Sequence, residues 1–330
     1  MTIIAVFGSN RVTIPQAYQI ESEENGALAM ACQKAQAYVD AARAPTTRRI
    51  YAGAWRRWAT WCAAMHCDPL PARLEAVAAY LAELARAGKS VATIKSALAA
   101  IAFFHRQAGL ALDRNDRAIA GVMAGIARKS SRPIRRAAAL EVDHLREIVS
   151  GIAVDDIRPL RDQALLLIGF FAALRRSELV ALDVTGARGG ISFIENRPEG
   201  LLVHITGSKA SAATQTVAIA RRADDLCAAR ALERYLAATG LSQGPLFRPI
   251  SKAGRLLDRR LDATAVRHIL YARAGSKRFS PHGLRSGFIT SAAKNGAPEH
   301  VIQRTSRHKS VDVLRGYIRE GDPFGTVSIV

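Results

Sequence analysis

Cysteine is scarce in this chain: four residues in 330, Cys32, Cys62, Cys67 and Cys227, with no framework spacing. Reduced thiols in a cytoplasmic protein are therefore expected. Cys62 and Cys67 with His66 lack a second ligand pair, so no zinc site is expected there. Long apolar runs are also missing. The longest, Ala164–Leu174, is too short to span a bilayer and has the length of a buried core helix. The opening residues, MTIIAVFGSNRVTIPQ, carry no basic residue ahead of their apolar patch, so no secretory leader is expected. Repeats of fixed period, low-complexity tracts, a metal-ligand cluster and a Gly-rich phosphate loop are all absent from the sequence, and no cofactor is expected. Acidic residues are the last shortage. There are 28 Asp and Glu against 47 Lys and Arg, a net charge of +19. Such an excess calls for a polyanionic partner: nucleic acid first, an anionic membrane surface second.

Apolar residues make up 49% of the chain, enough for a sizeable core. At roughly 100–200 residues per domain the length predicts two domains. Residues 1–45 form an extension with one helix, Gly26 to Arg43, ended by Pro45. Residues 46–127 form a helical unit. In it, Trp55, Trp58 and Trp61 share a helical face suited to core packing. Leu74, Val77, Leu81 and Leu84 make a second stripe, and Ser90 caps a third helix bearing Ile94, Leu98, Ile101 and His105. Arg56, Arg57, Lys95 and Arg106 fall on the polar faces and are candidate DNA-phosphate contacts, with an ordinary solvated face as the competing reading. Residues 128–140 read as a basic interdomain linker. Its Arg128, Lys129, Arg132, Arg135 and Arg136 are further DNA-binding candidates, in a chain whose two domains would wrap a duplex. Residues 141–330 are helical with an interruption by strand-like runs at Gly190–Ile194, Leu201–Thr206 and Thr214–Ile219, which predict a small antiparallel sheet. The fold class is thus mainly α, with a helical first domain and a mixed α+β second domain.

Reactive residue types gather in short segments of that second domain: Leu174-Arg175-Arg176-Ser177-Glu178-Leu179, Gly207-Ser208-Lys209, His282-Gly283-Leu284-Arg285, and His308 followed nine residues later by Tyr317. Each alone has a bland reading as a salt bridge, a solvated turn or helix-start decoration. Together they suit metal-free phosphodiester chemistry. Two guanidinium forks, Arg175 and Arg285, match the oxygens of a pentacoordinate phosphorus. His282 follows Pro281 in a first helical turn, where backbone N–H groups favour anions. A tyrosine hydroxyl is a weak nucleophile at neutral pH and needs a base and nearby positive charge.

In this order the segments resemble the catalytic constellation of the tyrosine recombinase (phage integrase) family: Arg175-x-x-Glu178, Lys209 in a β-hairpin, His282-x-x-Arg285, His308 and the nucleophile Tyr317. The surrounding text, FFAALRRSELVALDV, SPHGLRSGFIT and RHKSVDVLRGYIRE, is similar as well. The helical unit, with VAAYLAEL and TIKSALAAIAFFHRQAGL, resembles the core-binding domain of Cre-like recombinases, so the resemblance covers about residues 46–320. The family usually has Gly where Ala173 stands and Leu-Gly where Ser306-Arg307 stand. Arg307 is then either an added phosphate contact or a surface residue.

The resemblance implies a catalytic second domain and a site-specific recombinase. Tyr317 would form a 3′-phosphotyrosyl link, Lys209 would protonate the leaving 5′ oxygen, and Glu178 would orient neighbouring groups. It further implies duplex DNA with an inverted-repeat site as partner, a homotetramer on two sites joined through a Holliday junction, and a nucleoid location. No metal or ATP is implied, and no membrane. The apolar tail Thr326–Val330 would dock on a neighbouring protomer, with a tail folded back on its own domain or frayed as the competing reading. Two rivals stay open: a type IB topoisomerase-like enzyme without synapsis, and a non-catalytic DNA-binding regulator.

Overall fold

The structure is a computed structural model. It describes residues 44–130, 138–186, 192–206, 214–308, 310, 311 and 314–317, with the isolated positions Met30, Lys34, Ala35 and Tyr38. Most of the expected helix over 26–43 lies outside the described residues, as do Arg132, Arg135, Arg136, Lys209 and the C-terminal tail. The chain divides into two compact units, Met1–Ile134 and Arg135–Val330.

Helices α1 (Pro45–Ala64), α2 (Leu74–Arg86), α3 (Val91–Gln107) and α4 (Arg117–Lys129) build the first unit. Its centre is Trp58, wholly buried, whose indole stacks on Trp61 and whose Nε1 donates to the Pro69 carbonyl at 3.1 Å. The tryptophan stripe is thus core, as its period predicts. Ser90 Oγ accepts from the Thr93 N–H and starts α3. His105 is a satisfied core histidine. Its Nδ1 bonds the Ile101 carbonyl at 2.8 Å, and its Nε2 accepts from the Ala72 N–H at 2.9 Å. Burial lowers its pKa, which matches the neutral ring those bonds require.

Arg128 and Lys129 do not belong to an irregular linker but close the last turn of α4. Asp116 caps that helix by accepting from the Ala118 N–H, and Ile119, Val122, Met123 and Ile126 pack on the core at helical spacing. Gly121 and Gly125 dilute the period in the sequence. Both open onto free space on the helix surface, so they do not break it.

The second unit is built around α6 (Ile157–Phe171), buried along nearly its whole length. Around it lie α5 (Val142–Ser150), the short α7 (Arg176–Ala181), α8 (Ala228–Thr239), α9 (Ala265–Ala274), α10 (Pro281–Lys294) and α11 (Glu299–Ser306). Strands β1 (Phe193–Arg197), β2 (Gly200–Ile205) and β3 (Gln215–Ala220) form an antiparallel sheet in the order β1-β2-β3. The register runs Phe193 to His204 and Ile205 to Gln215, so Ile194, Leu201, Val203, Ile205, Val217 and Ile219 share the buried face.

The first strand runs past the Gly190–Ile194 expected, on to Arg197. Of its polar end, Glu195 and Arg197 lie on the outer face, where Glu195 pairs with Arg197 and His204, and Asn196 donates from its Nδ2 to Glu233 at 2.9 Å. Polar pairing there replaces the apolar alternation that marks a strand in sequence.

Two features place the site. The chain leaves α6 through Ala172 and Ala173, and Ala173 takes a left-handed φ of 46°. That turn aims carbonyl oxygens back at α10. Helix α10 in turn lies against the segment 138–140, where the Leu140 N–H donates to the Gly283 carbonyl at 3.0 Å. A Cβ on Gly287 would overlap the Leu140 carbonyl, and one on Gly283 would crowd that of Ala138. Both glycines of HGLRSG are therefore there for close backbone approach.

Candidate active site

Arg175, the residue before α7, and Glu178, in its first turn, form one unit. The Glu178 carboxylate accepts from the Arg175 backbone N–H at 2.9 Å and from its Nη1 at 2.5 Å. Arg175 is still about half exposed, its side chain 45% accessible. Burial alone would raise the Glu178 pKa. The bond from Arg175 N–H and the charges of Arg307 and Arg175 outweigh it and hold the group below its ordinary value.

Arg285 projects from α10 into a wholly buried position, 1% exposed. Its Nη1 donates to the Ala173 carbonyl at 2.7 Å. Its Nη2 makes no hydrogen bond among the described residues. A buried guanidinium with an open N–H edge is costly unless an anion completes it. Burial first, then repulsion from Arg175 and Arg307, pushes its pKa down to about 10.

His282 sits in the first turn of α10, behind the Ser280 cap and Pro281. Its Nε2 shares a 2.9 Å hydrogen bond with the Tyr317 hydroxyl. Burial, Arg285 and Arg175 lower its pKa, which favours the neutral ring. The His308 ring lies with its centroid 5.9 Å from that of Tyr317, and its Nδ1 bonds Ser306 Oγ at 2.9 Å. Burial, then Arg285, Arg175, His282 and Arg307, push the His308 pKa down to about 4. Tyr317 itself packs on a small core of Ile289, Ile302 and Leu314. That core seats the helical residues 314–317 on α10 and α11.

Arg175, Glu178, His282, Arg285, His308 and Tyr317 are thus brought together from positions up to 142 residues apart in the chain. Lys209 lies outside the described residues. It belongs to the β2–β3 connection, whose ends meet at the Ile205–Gln215 pair. Arg176 is exposed.

Arg307 is the main residue the sequence reasoning misplaced. It is neither on the surface nor free to serve as a phosphate contact. Its side chain is 5% exposed, and its guanidinium is spent on Glu178 and on main-chain carbonyls. The signal available was its place beside His308 at a helix end. There a left-handed C-cap turns the side chain back over the last turn.

Of the nucleic-acid candidates in the first unit, Arg56, Arg57, Lys95, Arg106, Arg128 and Lys129 are all exposed. Arg56 and Arg57 join Gly53 and Thr60 around a shallow cavity of about 340 Å³ on α1. No helix among the described residues is long and apolar enough to cross a membrane.

The family model described as "Phage integrase family" matches residues 139–322. An integrase/recombinase xerD homolog of Selenomonas ruminantium is 29% identical over 317 residues, covering 93% of this chain and 89% of that protein. A tyrosine recombinase XerD of Brucella suis is 34% identical over 168 residues, and there the chain spans about half (48%) of the relative's length. Among solved structures, a lambda integrase fragment in a dimer bound to a COC′ core site has a TM-score of 0.57. It is 15% identical, with 92% of this chain and 99% of that one covered. That likeness is one of fold.

Proposed function

Because this chain belongs to the phage integrase family, we propose that it is a site-specific tyrosine recombinase that cuts and rejoins duplex DNA through a 3′-phosphotyrosyl intermediate. The observation that carries the reading is the hydrogen bond between Tyr317 and His282, beside the open edge of Arg285. A scissile phosphate placed between Arg175 and Arg285 gives Arg285 Nη2 the acceptor that its buried position demands. Neutral His282 takes the Tyr317 proton on Nε2 as the phenol oxygen attacks phosphorus. The P–O5′ bond breaks, and Lys209 supplies the proton to the leaving 5′ oxygen. The guanidinium pair stabilises the charge that develops on the non-bridging oxygens, and His308 stands beside it as a neutral hydrogen-bonding group. Attack by the 5′-OH of a second strand on the phosphotyrosine reverses the bond changes and exchanges the strands. Bond energy is conserved in the ester, so the cycle is isoenergetic.

Two such exchanges, through a Holliday junction, join two inverted-repeat sites bound by four protomers. Arg56, Arg57, Lys95, Arg106, Arg128, Lys129, Arg132, Arg135 and Arg136 hold the duplex backbone. The division into a core-binding unit over 46–127 and a catalytic unit over 141–330 is part of this reading. The test uses a plasmid carrying two candidate sites, incubated with purified protein and no metal or ATP. Deletion or inversion between the sites is expected. Relaxation of single-site plasmids without exchange would favour a topoisomerase-like activity and overturn the recombinase reading.

A further inference from the structure

Arg307 carries four terminal N–H groups, and four acceptors meet them. Nη1 donates to the carbonyls of Ala172 at 3.0 Å and Thr305 at 2.8 Å. Nη2 donates to the Ala173 carbonyl at 3.2 Å and to Glu178 Oε2 at 2.9 Å. The contrast with Arg285 is direct: one guanidinium has an open edge, the other has all its terminal hydrogens used inside the protein. Arg307 also sits at φ 56°, ψ 38°, a left-handed conformation that costs any residue with a Cβ. A side chain held at that cost and buried against another arginine pair needs a return.

We infer that Arg307 is a positioning residue: it locks the Ala172–Ala173 turn and the Glu178 carboxylate into one frame, and that frame sets the guanidinium groups of Arg175 and Arg285. The links are explicit. Glu178 Oε2 receives both Arg307 and the Arg175 backbone N–H, while Oε1 receives the Arg175 side chain. The Ala173 carbonyl receives both Arg307 and Arg285. Through these shared acceptors Arg307 reaches both phosphate-facing arginines and has no terminal N–H left for the phosphate itself. Its charge also faces Glu178 and His308, alongside those of Arg175 on both groups and of Arg285 and His282 on His308.

The inference rests on reading the site as a phosphoryl-transfer centre, so the experiment includes a control for that reading. Wild type, Arg307→Gly and Arg307→Lys are compared on a nicked suicide duplex by single-turnover cleavage across pH, with half-site affinity measured separately. Glycine removes the side chain while relieving the left-handed backbone. Arg307→Gly is expected to bind DNA within about threefold of wild type and to cleave about 100-fold slower, the scale of a small misplacement of reacting groups. Its acid limb should move to higher pH, because Glu178 and His308 lose a neighbouring positive charge. Arg307→Lys keeps a charge but not the fork. It should return the acid limb toward wild type while remaining slow.

Cleavage by Arg307→Gly at the wild-type rate overturns the inference. So does a loss of affinity as large as the loss of rate with the acid limb unmoved, the mark of a plain phosphate contact. Should Arg307→Gly fail to fold by circular dichroism, Arg307→Lys decides: slow cleavage at normal affinity supports the inference, and wild-type cleavage overturns it. A wild-type chain that forms no covalent adduct overturns the recombinase reading and the inference together. A wild-type adduct with an unimpaired variant overturns the inference alone.

Discussion

Replacing Arg285 by methionine should stabilise the free protein while destroying its chemistry. Arg285 is 1% exposed, has one side-chain hydrogen bond among the described residues, and faces the charges of Arg175 and Arg307. A fall in its pKa from 12.5 to about 10 corresponds to roughly 3 kcal/mol against the charged form. Methionine fills the space of the stem without charge. It sacrifices the bond to the Ala173 carbonyl, worth about 1.5 kcal/mol, but that carbonyl keeps Arg307 as a donor, so no acceptor is stranded. The balance is a gain of about 1–2 kcal/mol, and at about 2–4 °C per kcal/mol for a unit of this size the midpoint rises by several degrees. Thermal unfolding of Arg285→Met and wild type, with and without a target half-site duplex, is the assay. Free variant should melt above free wild type. DNA should raise the wild-type midpoint more than that of the variant, because the phosphate completes Arg285 only when Arg285 is present. A free variant that melts several degrees below wild type would refute the argument. It would mean that the arginine is satisfied within the protein and is not held ready for an anion.

Further outcomes follow from the same geometry. Gly287→Ala should cost about 3 kcal/mol or more, since the new methyl overlaps the Leu140 carbonyl; chemical denaturation checks this. Arg175→Ala should slow single-turnover cleavage by about 100-fold or more, the scale of one lost oxyanion donor, and exposed Arg176→Ala by far less. His308, at about 4 when folded, takes its proton near 6.5 when unfolded. Its contribution to stability is complete above pH 6.5 and is lost as pH falls toward 4. His105 and His282 add slopes of the same sign, so the difference between wild type and His308→Gln over pH 4.5–6.5 isolates His308. Lys209→Ala should be inactive on ordinary DNA yet recover on a 5′-bridging phosphorothiolate, whose leaving group needs no proton. Failure to recover would assign that proton to another residue.

Much of this was legible in the sequence, and for definable reasons. The helices of the first unit carry their period openly in Trp58, Leu81, Ile94 and Ile101, and Ser90 and Pro281 mark starts that the structure bears out. The site motifs were readable because each pairs a reactive residue with a fixed local offset. Helix α4 was hidden by its surface glycines, and the true span of β1 by polar pairs on its outer face. Arg307 was misread for a deeper reason. Its role depends on the left-handed turns at residues 173 and 307 facing each other, a long-range fact that no local period encodes. The glycines at 283 and 287 likewise answer to a backbone from 138–140 that lies more than 140 residues earlier.

The central claim is that the Tyr317 oxygen, activated at His282, becomes covalently bonded to DNA. The most direct measurement traps the wild-type protein on a nicked suicide duplex, digests both components, and locates the nucleotide-bearing peptide by mass spectrometry. The account predicts one modified peptide, with a 3′-phosphonucleotide on Tyr317 and a free 5′-OH on the released strand, and no adduct with Tyr317→Phe at matched DNA occupancy. A 5′-linked adduct, or the same nucleotide mapped to any other residue, would contradict it.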